Sequence, residues 1–410
     1  MACKLFLSHV PAALSNVLLL YRFRWAYCQM QELKKLKAVK PKYVQALLNN
    51  LPATLDATYE RMLSGIEAIF RGEALTLLQW LAYAHSPPSL GELAEATIID
   101  LTAEGSVDVD ERGTIEDTLQ ILAGLVLLQG PSGMDGGDDA LAEVDYVSDN
   151  IQDEDLDRVR RGADTSPIAH RTWHPINKDM KVRLAHFSVK EYLESTRILR
   201  TKVSEFHLQS AVGHRLLAQS CLTYIFHYSR SGEKSSTAHD LDKFPLLHYA
   251  ARCWPSHSFL QQCQDVTREA SLLTSTDAMP DWLLVVRPDQ TWKDPFESLV
   301  EIGSGLYYAS FTGLDLVVRH LLEKGANVNA LGGLYGNALQ AASLRGHEEM
   351  VRLLLEKGAD VNAQGGHYGN ALQAASSEAH AEIVRLLLEK GADVNAQGGY
   401  YARWSMDGSF

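Results

Sequence analysis

Three short strings carry residue types that could do chemistry. "SGEKSST", Ser231 to Thr237, sets a lysine, serines and a threonine beside a glycine, the side chains of a phosphate cradle. Such a cradle needs Gly-x-x-x-x-Gly-Lys-Ser/Thr after a strand, so that backbone amides and a lysine surround the phosphates. Here the glycine spacing is missing, no Gly-Lys pair occurs anywhere in the chain, and the string follows a helix-like segment. His248, Cys253, His257 and Cys263 have zinc-binding side chains, but four, three and five intervening residues do not form the paired knuckles of a structural site. "DVDERG", Asp108 to Gly113, imitates the start of a calcium loop, yet Arg112 stands at the third ligand position and Leu119 at the twelfth residue, where oxygen donors are required. No serine or cysteine sits in a recognisable nucleophile elbow. The residues predict a non-enzymatic chain with no metal and no other cofactor.

The elements that would position any site begin with size. At 410 residues the chain exceeds what one core organises, so two or three units are expected. Apolar residues make up 46% and charged residues 22%, the balance of a globular protein. Five scattered cysteines, Cys3, Cys28, Cys221, Cys253 and Cys263, suit a reducing compartment and predict no disulfide. Polar residues and Pro11 interrupt the apolar start "LFLSHVPAALSNVLLLY", which is shorter than the roughly 20 residues of a spanning helix. A cytoplasmic location without membrane contact is expected, with a secretory signal as the alternative. The formal charge of -13 is concentrated: Gly133 to Asp157 holds ten carboxylates and no Lys or Arg. That composition predicts a disordered acidic insertion over residues 131–179, and the acidic balance argues against nucleic acid as a partner.

The C-terminal quarter is a repeat. Leu334 to Gly366 and His367 to Gly399 differ at six positions at a spacing of 33, and a more diverged copy, Gly305 to Gly333, precedes them in register. Each unit reads as turn, helix, turn, helix. Asn337 and Asn370 stand at N-caps with Gln340 and Gln373 three residues on, the spacing of a capping box. Ala341, Ala342 and Ser343 allow close packing of the first helix; Met350, Val351, Leu353, Leu354 and Leu355 form the buried stripe of the second. Gly358 and Gly391 follow at the left-handed stop. These units resemble the ankyrin repeat, with "GADVNA" and "EEMVRLLLEKG" the most specific segments, although the family's Thr-Pro-Leu-His helix start is Asn-Ala-Leu-Gln here. The resemblance implies a stacked solenoid that binds a protein partner. The differing positions cluster near hairpin tips and turns, and Leu334, His367, Leu344, Ser377, Arg345 and Glu378 are the candidate partner-binding residues; drift at exposed sites is the competing explanation.

The front is read from helical spacing and strand-like runs. "LPATLDATYERMLSGIEAIF" places Leu55, Tyr59, Met62, Leu63, Ile66 and Ile69 on one face, "EALTLLQWLAYA" follows, and Ser89 with Glu92 opens a third helix. "GTIEDTLQILAG" precedes the strand-like "LVLLQG", and "KVRLAHF" would pair with it after the acidic insertion. Three helices then a hairpin predict a winged helix, whose "TIEDTLQIL" helix carries Glu116 and Asp117 but no Lys or Arg, which disfavours DNA. "YRFRWAYCQMQELKKLK", "LPATLDATYERML", "RLAHFSVKEYLES" and "FPLLHYAARCWPSHS" resemble, in this order, fungal proteins that join a NACHT-type module to ankyrin repeats, relatives of NOD-like receptors. That resemblance implies a switch in non-self recognition or cell-death signalling whose NTPase core is missing here, and it places His186 where the family's winged-helix histidine meets bound ADP. The competing expectation is that His186 packs before a helix capped by Ser188.

The expected fold is therefore mostly α: a helical segment over 1–72, a winged helix with a small β-hairpin wing over 73–200, a helical linker with an ankyrin-like helix pair over 201–300, an ankyrin-repeat α-solenoid over 301–399 and a tail over 400–410. The expected function is non-enzymatic protein binding by a remnant of a NACHT-type receptor. The alternatives are a regulatory lid and sensor of an ATP- or GTP-dependent switch whose core lies upstream or in a partner, and winged-helix DNA binding. Nucleotide binding without that core is not expected.

Overall fold

A computed structural model describes residues 24–25, 51–102, 105–122, 124–130, 177–297 and 302–396. The chain is mostly helical and divides into two compact units. One takes the described residues of Met1–Ala82, Ser86–Gly91 and Gly113–His207; the other takes those of Tyr83–His85, Glu92–Arg112 and Leu208–Phe410. The acidic insertion up to residue 176, the tail, Cys3, Cys28 and most of the first 50 residues lie outside the described residues.

In the first unit, α1 (Leu55–Ser64) starts where Thr54 accepts the Ala57 N–H and buries Leu55, Thr58, Tyr59 and Leu63. The sequence predicts this face through Ile69. Instead the helix stops at Ser64 with Gly65 as its cap, and Ile69 is 81% exposed within a short 3-10 turn, Ala68–Phe70. A Ser-Gly pair favours that stop, because glycine costs about 1 kcal/mol in a helix interior. Next come α2 (Arg71–Tyr83), in the first unit up to Ala82, and α3 (Leu90–Thr97), which belongs to the second unit from Glu92 on. In the second unit β1 (Ile99–Asp100) pairs antiparallel with β2 (Ser106–Val107). Back in the first, α4 (Ile115–Ile121) begins with a full capping box between Thr114 and Asp117. The predicted hairpin is present: β3 (Val126–Gln129) pairs antiparallel with β4 (Lys181–Leu184), Val126 opposite Leu184. Pro88 to Gly91 lies along the other edge of β4, with Val182 N–H donating to the Pro88 carbonyl at 2.8 Å and Leu90 N–H to that of Met180 at 2.9 Å. Helix α5 (Phe187–Glu194) follows.

The second unit continues with α6 (Ser210–Arg230), the short α7 (Asp240–Lys243) and α8 (Leu247–Leu260). Helices α6 and α8 pack together around Leu217, Cys221, Tyr224, Leu247, Ala250 and Trp254. Pro255 lies inside α8. It has no N–H for the Ala251 carbonyl four residues back, and that carbonyl instead accepts the Trp282 indole N–H at 2.8 Å. Trp282 meets Trp254 edge-on at 5.3 Å, so the helix defect becomes a core contact. Cys221, Cys253 and Cys263 are free thiols. Helices α9 (Thr267–Thr274) and α10 (Ala278–Val285) lead to the array.

The array holds α11 (Gly305–Thr312), α12 (Asp315–Glu323), α13 (Ala338–Leu344), α14 (Glu348–Glu356), α15 (Ala371–Ser377) and α16 (Ala381–Glu389). The first helix of each pair packs on the first helix of the next, α11 on α13 on α15. Their small, fully buried alanines permit this approach: Ala309, Ala341, Ala342, Ala374 and Ala375. The second helices bury one stripe, Met350, Val351, Leu353 and Leu354 in α14. Gly325, Gly358 and Gly391 end them at φ of 87 to 89°. An asparagine ladder ties repeat to repeat outside the core. Asn329 donates to the Gly358 carbonyl and accepts the Asp360 N–H; Asn362 does the same to Gly391 and Asp393.

Candidate functional site

The repeat array is the site that the residues build. Asn337 accepts the Gln340 N–H at 2.9 Å and Asn370 that of Gln373 at 2.8 Å, so both predicted N-caps form. The other half of the box does not. The Gln340 amide donates forward to the carbonyls of Ala363 and Gly365 at the end of its own repeat and of Gly369 at the start of the next, and Gln373 to that of Ala396. The side-chain N–H groups bond carbonyls of the following hairpin, where the Gly369 carbonyl also accepts the Gly365 N–H at 2.9 Å. In the first repeat the same position is Tyr307. Its hydroxyl donates to Asp289 at 2.7 Å and accepts the Tyr335 N–H at 3.3 Å, while Asp289 also accepts the Leu334 N–H at 3.0 Å.

Aromatic rings run along the array. Phe311 stacks on Tyr335 at 5.7 Å and Tyr335 on Tyr368 at 5.9 Å, with interplanar angles of 11° and 18°. His367 meets both tyrosines edge-on, and the Arg345 guanidinium lies 5.0 Å from the Phe311 ring centre. Tyr335, Tyr368, His367 and Leu334 are half-buried, and Arg345, Ser377 and Glu378 are exposed. Burial lowers the His367 pKa. Leu344 is 7% exposed, and its carbonyl faces His380 Nε2 at 3.0 Å. Of the six candidate positions, Leu344 is thus a packing residue, whereas the others reach the surface. Attention to differences between the copies passed over the ladder, whose signal is an identity: Tyr335 and Tyr368 are 33 residues apart. Asp289 had no signal outside its fold.

The remaining sequence candidates have local partners. His186, not Ser188, caps α5: its Nδ1 accepts the Ser188 N–H at 3.2 Å and lies 2.6 Å from Ser188 Oγ, which also contacts the Tyr59 hydroxyl. An imidazole nitrogen in its acceptor form serves as well as a hydroxyl at this position. Burial, then Arg24, holds the His186 pKa below the ordinary imidazole value. In "SGEKSST" the amides that would cradle a phosphate surround a carboxylate of the chain itself. Ser235 and Ser236 N–H donate to fully buried Asp240, as do Ser235 Oγ at 2.5 Å and the Tyr228 hydroxyl at 2.8 Å. Burial alone would raise the Asp240 pKa, but these bonds outweigh it and lower it. Lys234 pairs with Asp281 at 2.7 Å. Asp108 caps the turn Val109–Glu111, and Arg112 pairs with buried Glu95 at 2.8 Å, which also takes the Tyr224 hydroxyl. Among the described residues no three His, Cys, Asp or Glu are grouped to hold a metal ion, and no helix is long and apolar enough to cross a membrane.

Comparison with known proteins agrees with the array. The chain is 32% identical over 330 residues to the "Azaphilone pigments biosynthesis cluster protein L" of Monascus ruber, a match that covers 75% of this chain and spans 60% of that protein. The family described as ankyrin repeats matches in three copies over residues 306–398. With helix pairs, glycine stops and inter-repeat bonds in register over that span, residues 306–398 are three ankyrin repeats.

Proposed function

We propose that this chain is a non-enzymatic interaction protein that holds a protein partner along its ankyrin repeats, in the cytoplasm. The observation that carries the reading is the ladder of half-buried rings, Tyr335 stacked on Tyr368 with His367 beside them and Arg345 nearby. Rigid aromatic and Arg side chains on a fixed scaffold make strong protein contacts at low entropic cost. Leu334, Ser377 and Glu378 would supply the rim.

The finer reading is a remnant of a NACHT-type receptor of non-self recognition. Helices α2 to α4 followed by the β3–β4 hairpin, with Pro88 to Gly91 along its edge, fit a winged helix. The Monascus ruber relative is named for a pigment biosynthesis cluster, and a non-catalytic interaction role suits such a cluster too. A second reading, the regulatory lid of an ATP- or GTP-dependent switch with its core upstream or in a partner, draws on His186, a half-buried imidazole under the influence of Arg24.

The test is affinity capture from extracts of the source organism with the full chain and a Tyr335→Ala/Tyr368→Ala variant. A partner whose affinity falls at least about tenfold in the variant supports the reading; a partner indifferent to both rings, or sustained ATP or GTP turnover by the purified chain, overturns it. Tight nucleotide binding by that chain, or an in-frame phosphate-loop motif in a longer transcript, would favour the switch.

A further inference from the structure

The second unit contains a histidine cluster that the ankyrin reading leaves unused. His257, on α8, is fully buried. Its Nδ1 lies 2.9 Å from Nδ1 of His214 on α6, and its Nε2 lies 2.9 Å from the Tyr249 hydroxyl two turns earlier on α8. The His85 ring stacks on His257 at 4.5 Å and 20°, and the His85 N–H donates to the Tyr249 hydroxyl at 3.2 Å. Two residues before His85, the Tyr83 ring fills the space that a side chain at Gly213 would take: a Cβ there would come within 2.1 Å of it. The segment Tyr83–His85 is thus held by the Tyr83 ring slot and the tilted Tyr83–His214 contact at 5.3 Å, by the His85 stack and by the backbone bond. The last two depend on the His257–Tyr249 pair.

We propose that His85, His214 and His257 form an acid-sensitive latch that holds segment Tyr83–His85 against α6 and α8 and lets it go as the pH falls. The contact between the two Nδ1 atoms is the reason. Two ring nitrogens at hydrogen-bond distance share one proton; if both rings become imidazolium, both nitrogens carry hydrogen and the bond becomes a repulsion. The stacked His85 adds a third positive charge within ring contact. Stacked faces also keep the nitrogens from converging on one point, which is why the cluster suits protons and not a metal ion.

The groups around His257 do not offset that charge. From α8 come Tyr249 and, beside it, Cys253; from α6, His214 and, beside Tyr249, Cys221; from the latched segment, His85 and, against His214, Tyr83. Glu269 of α9 accepts from Ser258 and Gln261, Asp281 of α10 pairs with Lys234, and Glu92 acts on Tyr249 and Cys253, whereas the charges that act on His257 are those of His85 and His214. Burial first, then His85 and His214, lowers the His257 pKa from 6.5 to about 3, and burial lowers that of His85. The folded pKa lies below the unfolded one, so the closed state is fully favoured above pH 6.5 and loses its advantage as pH falls from there towards 3. Each proton taken up on opening changes the opening equilibrium about tenfold per pH unit in that window.

Hydrogen–deuterium exchange on the full chain tests this, with opening constants for peptides over residues 83–85 and 247–260 corrected for the pH dependence of chemical exchange. Between pH 7 and pH 5 the wild type is expected to open about twentyfold more or beyond, and His257→Gln, which keeps amide hydrogen bonds but cannot take the proton, is expected to lose most of that dependence. A flat wild-type profile, or an unchanged pH dependence in His257→Gln, overturns the latch. Should that variant not fold, histidine ring NMR on the wild type decides: a ring that stays neutral below pH 5 while the segment loses protection supports the latch, and a His257 that titrates near 6.5 overturns it.

Discussion

The second and third repeats are joined by a device that recurs, and the first and second by one that does not. Between the later pair, Gln340 reaches forward from the first helix and bonds three carbonyls of the next hairpin. Between the earlier pair, Tyr307 stands at the same repeat position and needs Asp289, from the segment before the array, to complete the bond to Leu334 and Tyr335. A repeat can carry its own connector because each copy meets another copy. The outermost copy meets non-repeat chain, and there the connector must be built from a residue with no counterpart in the period.

The most severe way to break the comparison is Asp289→Ala. Asp289 is 3% exposed, and its loss leaves the Tyr307 hydroxyl and the Leu334 N–H without their acceptor, at an expected cost of about 3 kcal/mol in urea unfolding. A loss below about 0.5 kcal/mol would show that the first join does not need its carboxylate. Gln340→Ala removes the periodic connector where it is buried and should cost about 2 kcal/mol; Gln373→Ala, at the same position in the last repeat with one inter-turn bond, should cost about 0.5 kcal/mol. Equal losses at the two glutamines would mean that the forward bonds are incidental.

The outer ladder sharpens the contrast. Asn362→Ala removes a bond to the Gly391 carbonyl and one from the Asp393 N–H at an exposed site, and about 1 kcal/mol is expected. Amide exchange at Asp393 should rise in that variant and stay unchanged in Gln340→Ala. The smallest effect concerns pH. Burial lowers the pKa of His347 from 6.5, so its contribution to stability is complete above pH 6.5 and shrinks as pH falls through that value. His347→Gln should flatten the decline of thermal stability between pH 7 and pH 5 by less than about 1 kcal/mol; a steeper decline would reverse the assignment.

Much of the array was readable before the coordinates. The Asn337 and Asn370 caps and the glycine stops act over one turn of chain, where propensity and hydrogen-bond chemistry suffice, and the 33-residue period repeats them. The β3–β4 hairpin was readable from two apolar runs despite the 51 residues between Gln129 and Lys181. The failures are of more than one range. Ile69 keeps helical spacing but is exposed, because the helix ends five residues earlier at Ser64. His186 displaces Ser188 as cap because a ring nitrogen can accept as a hydroxyl does. Leu344 read as a surface difference, and it is 7% exposed, with its carbonyl facing His380 of the next repeat.

Covalent order alone settled that three similar helix pairs would form and where each would start and stop, because caps, turns and amphipathic stripes are decided among neighbours a few residues apart. Folding in three dimensions settled what those pairs touch: that Gln340 looks forward, that Asp289 completes the first repeat, and that His85 lies on His257 across 172 residues of chain. Such contacts follow from the direction in which side chains leave their helices and from which surfaces water is excluded, and no window of sequence contains either.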